Sequence, residues 1–104
     1  MTKEKQQAEK EGKRMERKGQ LIQKKGQRLQ FKGKLIGIKG EYIQKKGELL
    51  EQEGKVKKGK RMEHKGKAIE KKGQLIQKKG ERLERKGKAM EKKGEAIKEQ
   101  VKDL

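Results

Sequence analysis

The chain has 104 residues, 26% hydrophobic and 48% charged, with a formal net charge of +18. One Phe, one Tyr and scattered aliphatics cannot fill a globular core of ordinary thickness, and the composition borders on that of a disordered chain. Cysteine is absent, which excludes disulfides and thiol chemistry, and no apolar run is as long as a signal-peptide core or a membrane span.

Regularity argues against disorder and defines the first element, a helix over about 3–53. Thr2 is its expected N-cap. Glycine recurs every seventh residue, at Gly12, Gly19, Gly26, Gly33, Gly40, Gly47 and Gly54, and only Gly37 lies off this grid. Three residues after each comes an aliphatic: Met15, Ile22, Leu29, Ile36, Ile43 and Leu50. A 3–4 spacing of contact residues on a seven-residue period is a coiled-coil seam, with glycine at a and the aliphatic at d. Period-two alternation is nowhere visible, so strands are not expected.

The grid then breaks. Gly54 to Gly59 is a step of five. A step of seven rotates a straight helix by about −20°, whereas five rotates it by about 140°. An unbroken helix would throw its second seam to nearly the opposite side. A turn over about 54–58, with Gly54 as a left-handed C-cap, folds the two seams together instead.

The second helix, about 59–101, repeats the grid at Gly59, Gly66, Gly73, Gly80, Gly87 and Gly94. Its aliphatics are Met62, Ile69, Ile76, Leu83, Met90 and Ile97. Longer words recur too: Gly12-Lys13-Arg14-Met15-Glu16 returns as Gly59-Lys60-Arg61-Met62-Glu63, as an internal duplication would give.

The expected fold is therefore all-α: a single domain over 1–104 that is a long antiparallel two-helix hairpin, coiled-coil-like, with glycine/aliphatic heptads. Glycine inside a helix costs about 1 kcal/mol relative to Ala. Close approach of the two backbones is the physical compensation, as small residues provide between membrane helices. The expected contact residues are Gly19, Gly26, Gly33, Gly40, Gly47, Gly66, Gly73, Gly80 and Gly87 with Ile22, Leu29, Ile36, Ile43, Ile69, Ile76 and Leu83. Folding about the Gly54–Lys55 bond sets the expected layers: Leu50 on Gly59, Gly40 on Ile69, Ile36 on Gly73. Each layer pairs one glycine with one aliphatic.

A further apolar row, two residues after glycine, holds Leu21, Leu35, Tyr42, Leu49 and Leu75 and is interrupted by Arg14, Arg28, Arg61 and Arg82. Leu35 and Tyr42 of that row, with Phe31 and Ile38 outside it, form a surface open to two readings: a second copy covers it, giving a four-helix dimer, or it meets a partner helix or an anionic membrane surface.

The inventory for catalysis is nearly empty. Ser, Cys, Asn and Trp are absent, and Thr2 and Asp103 are the sole residues of their types. No nucleophile-and-base pair can be assembled, so an enzyme is not expected and no catalytic residue is assigned. His64 stands alone where other heptads carry Lys or Arg, so no metal site is expected. Gly33, Gly37 and Gly40 beside Lys39 do not make a nucleotide-binding loop, for want of a preceding strand. No cofactor is expected.

Charge is the remaining functional feature. A lysine precedes most glycines: Lys18, Lys25, Lys32, Lys39 and Lys46 on the first helix, Lys58, Lys65, Lys72, Lys79, Lys86 and Lys93 on the second. These would form a double row along one edge of the hairpin, with Glu and Gln along the other. Like charges in a row repel, and a bound polyanion would relieve them. The plainer reading is lysines snorkelling over a narrow seam. Lysine–phosphate contact is salt-dependent and sequence-independent. With two aromatics, stacking on single-stranded bases is hardly available, so a nucleic acid partner would be met at its backbone. A self-associating structural protein and a binder of anionic membrane surfaces are the alternatives. For the membrane, the apolar row interrupted by arginines would have to lie in the interface. The absence of a signal or spanning segment gives a cytoplasmic expectation.

The glycine heptads, as in Gly12-Lys13…Lys18-Gly19 and Gly59-Lys60…Lys65-Gly66-Lys67, resemble those of the CsbD-like family of small bacterial stress-response proteins. The resemblance spans residues 12–98. This chain is longer and more basic, and it puts its aliphatic three residues after glycine rather than mainly two. The resemblance implies a hydrophilic helical protein linked to stress response, with no enzyme activity.

Overall fold

A computed structural model of the chain describes residues 2–103. It contains two helices, α1 (Lys3–Gln52) and α2 (Val56–Lys102), and no strand among the described residues. Thr2 caps α1, its Oγ1 accepting a bond of 3.2 Å from the Lys5 N–H, which satisfies one of the donors a helix start leaves open.

The turn closes by a Schellman arrangement. The Gly54 N–H donates to Glu51 O at 3.0 Å and the Lys55 N–H to Leu50 O at 2.9 Å, while Gly54 takes φ +89°. The Lys55 carbonyl then accepts from the Gly59 N–H at 2.9 Å. That bond starts α2 at Val56, three residues before the start expected at Gly59, and leaves a tighter connection. Ala at Gly54 would be held left-handed at a cost of about 1–2 kcal/mol. Gly54→Ala is expected to lower the thermal midpoint by several degrees while leaving helicity at low temperature unchanged, as read by circular dichroism.

The chain divides into two compact units: a turn unit, Arg28–Lys79, and a terminal unit, residues 1–27 with 80–104. Each sets a piece of α1 antiparallel against a piece of α2. In the turn unit Gly33, Gly40 and Gly47 lie against Gly73, Gly66 and Gly59; in the terminal unit Gly12, Gly19 and Gly26 lie against Gly94, Gly87 and Gly80. All twelve are buried. Among the described residues, Val101 is the sole hydrophobic side chain as buried as they are, at 3% exposure.

These contacts correct the expected layers. A Cβ built on Gly40 would fall 2.6 Å from Gly66 O and 2.6 Å from Glu70 N; one built on Gly66 would fall 2.6 Å from Gly40 O. Glycine meets glycine, not an aliphatic. The cause is distance. Backbones this close leave no room for a branched side chain between them, so Ile36, Ile43, Ile69 and Ile76 are displaced to the flank of the seam and remain half-buried. The contact is reciprocal: each glycine turns one Cα hydrogen toward the other's carbonyl oxygen. Such Cα–H···O contacts are worth about 0.5–1 kcal/mol each, which offsets much of the propensity cost of roughly 1 kcal/mol per glycine.

Candidate polyanion-binding face

With glycine at the centre of the seam, helix geometry places every other row. At about 100° per residue, the aliphatic three residues on lies about 60° to one side, and the lysine before each glycine about 100° to that same side. The residue four after glycine lies about 40° to the other side, and the residue one after it about 100°. Antiparallel pairing carries equal rotations to the same face of the pair. Each unit thus has one face of aliphatics and lysines and an opposite face formed by the other two rows.

Side-chain bonds confirm the opposite face. In the turn unit the Gln44 amide Nε2 donates to Glu70 Oε2, and both residues stand four after a glycine. In the terminal unit Gln23 Nε2 donates to Glu91 Oε2 in the same relation. There Lys98 Nζ also reaches both Glu16 carboxylate oxygens at 3.1 Å, with the two side chains 31% and 20% exposed. At that exposure the ion pair is worth at most about 1 kcal/mol. Glu16→Gln is therefore expected to cost no more than that in urea unfolding, with the loss shrinking as salt rises.

The Glu and Gln edge was expected from the sequence, but not its bonds across the seam. Their signal was there: Gln23 and Gln44 on α1 match Glu91 and Glu70 on α2. The row also explains Gly37, which stands four after Gly33 and so occupies it. A Cβ added at Gly37 meets nothing within 4 Å, and an open groove of about 260 Å³ lies there, lined by Gly33, Gly37, Ile38, Glu70, Gln74 and Gln77 among others.

The lysine rows take a different arrangement from the one expected. Lys32, Lys39 and Lys46 on α1 and Lys58, Lys65, Lys72 and Lys79 on α2 do not sit side by side. They flank the aliphatics, one row on each outer shoulder of the turn unit. In the terminal unit Lys18, Lys25, Lys86 and Lys93 hold the same positions. All eleven are exposed, and none is in an ion pair among the described residues. Lys46 Nζ stands 5.9 Å from the Tyr42 ring centroid, a weak cation–π contact.

Carboxylates are segregated from these lysines. In the turn unit Glu41 and Glu48 stand one after a glycine, and Glu51, Glu63 and Glu70 four after, so all five belong to the opposite face. The unit's remaining acid, Glu53, lies in the turn.

His64 is exposed, and Gly33, Gly37, Gly40 and Lys39 lie in the continuous helix α1. Phe31, Leu35, Ile38 and Tyr42 are 51–65% exposed on the outer side of α1. Among the described residues no helix is long and apolar enough to cross a membrane, and no group of three or more His, Cys, Asp or Glu is placed to hold a metal ion.

Comparison with known proteins returns no matching family model, no similar curated protein and no similar solved structure.

Proposed function

We propose that this chain is a non-enzymatic binding protein that holds polyanions through its lysine rows, without sequence specificity. The observation that carries the reading is the turn unit's face of seven exposed lysines, none in an ion pair among the described residues and with no carboxylate among them. Each such lysine is strongly hydrated and repelled by its neighbours. A surface of regularly spaced phosphates removes that repulsion and releases condensed counterions. The nucleic acid backbone is the reference polyanion. Duplex DNA should shift in a gel at low salt and lose on the order of 10⁴-fold in affinity between about 50 and 200 mM salt, as some seven contacts predict. Absence of a shift at low salt would remove the proposal.

Self-association in a structural or stress-protectant role is a second reading. Its specific support is the exposed set Phe31, Leu35, Ile38 and Tyr42, whose 4–3–4 spacing forms a seam on the outer side of α1. Light scattering should then give a dimer mass, returned to monomer by Leu35→Gln with Ile38→Gln.

A further inference from the structure

The lysine face of the turn unit is not polar throughout. Between its two rows of ammonium groups runs a stripe of aliphatics, Ile36, Ile43, Met62, Ile69 and Ile76 among them, half-buried because their inner sides pack on the seam and their outer sides meet solvent. An apolar centre, cationic shoulders and carboxylates confined to the far side form an amphipathic surface.

Resting on the polyanion reading above, we infer that the anionic partner is a lipid bilayer surface, on which the turn unit lies flat with the stripe facing the acyl boundary. Lysine stems run along apolar surface while their ammonium groups stay at headgroup level, and the rows on either side of the stripe suit that division. A nucleic acid backbone would satisfy the ammonium groups and leave the stripe against phosphate and water. A second copy docked face to face would cover the stripe but bring four lysine rows together with no carboxylate between them. Anionic headgroups meet both needs. They also account for the acids lying opposite, where a negatively charged surface does not repel them.

The sequence pointed to a different apolar row for this contact, the one broken by Arg14, Arg28, Arg61 and Arg82. The row that shares the lysine face carries no arginine in any heptad. The unit would lie on the bilayer and not span it.

The chain lacks cysteine, so a single introduced thiol can carry a polarity-sensitive fluorophore. Met62→Cys puts it on the stripe and Gln74→Cys on the opposite face. With vesicles of phosphatidylcholine and phosphatidylglycerol, the label at 62 should shift to the blue and lose most of its quenching by iodide. The label at 74 should do neither, and phosphatidylcholine alone should affect neither. A companion variant leaves the seam untouched: Lys39→Gln, Lys46→Gln, Lys65→Gln and Lys72→Gln together should weaken sedimentation with the mixed vesicles by roughly fivefold per lysine. Circular dichroism checks that every variant keeps its helicity.

Equal shifts at both labels, or no response to vesicles from a chain that still binds duplex DNA, would overturn the lipid inference and leave the polyanion reading standing. Failure with both vesicles and DNA removes the two together. A label at 62 already blue without vesicles, with a dimer mass in solution, would assign the stripe to a second copy and overturn the inference.

Discussion

Alanine at Gly33 or Gly40 is expected to destabilise the hairpin, although alanine is the better helix former, while alanine at Gly37 stabilises it. The three sites lie within one stretch of α1, so intrinsic propensity favours Ala by about 1 kcal/mol at each. What differs is the neighbour. At Gly33 the new methyl would lie 2.5 Å from Gly73 O and 2.7 Å from Gln77 N; at Gly40, 2.6 Å from Gly66 O and Glu70 N. These are backbone atoms of a packed helix and cannot rotate away. Relief requires the two helices to part, which breaks the paired glycine contacts on either side. Overpacking of this kind costs about 1–3 kcal/mol, and more where rigid backbone is the obstacle. A net loss of about 1–2 kcal/mol for each single change follows, and Gly40→Ala with Gly66→Ala should cost less than their sum, because the parting forced by one methyl also makes room for the other. At Gly37 the methyl enters open space and the full gain of about 1 kcal/mol is realised. Thermal unfolding followed at the helical dichroism band reads all of these. A lowered midpoint for Gly37→Ala, or a raised one for Gly40→Ala, would contradict the seam as described.

Neutralising the lysine rows is expected to weaken polyanion binding and strengthen the fold at once. Lys32, Lys39, Lys46, Lys58, Lys65, Lys72 and Lys79 are exposed and in no ion pair among the described residues, so glutamine at any of them removes a charge without stranding a carboxylate. For a duplex, the slope of log affinity against log salt should fall by about 0.9 for each lysine that contacts a phosphate. Replacing all seven should bring binding of the turn unit close to nothing. The same change lowers the self-repulsion of a chain carrying a net charge of +18. The thermal midpoint should therefore rise, most at low salt, where screening is weakest. Unchanged affinity on a refolded, more stable variant would show that the rows are only a solvated surface.

The hairpin was legible in the sequence because its signals are local and repeated. The seven-residue glycine grid gave the helices, and the single step of five gave the turn at Gly54. Which groups touch across the seam was not legible. A glycine at every seventh residue is compatible with an aliphatic opposite it or with another glycine opposite it. What decides is how near the backbones come, a collective property of both helices that neither heptad carries alone. The same distance moved the aliphatics to the flank and so set the lysine rows apart from each other. The Gln44–Glu70 and Gln23–Glu91 bonds were hidden for a related reason. Gln and Glu four after glycine look like ordinary solvated residues until the seam is known to be centred on glycine.

Growth in length is easy for such a seam. Seven residues inserted in α1 and seven in α2, at mirrored distances from the turn, would leave each existing glycine opposite its present partner and add one more contact of the same kind. Within the terminal unit, an insertion in one helix only, between Glu16 and Gly26, would displace every pair beyond it and part Lys98 from Glu16. Duplication within a gene that copies heptads from both arms of a unit together is thus tolerated at once, whereas copying from one arm must be matched before the two helices of that unit pair throughout again.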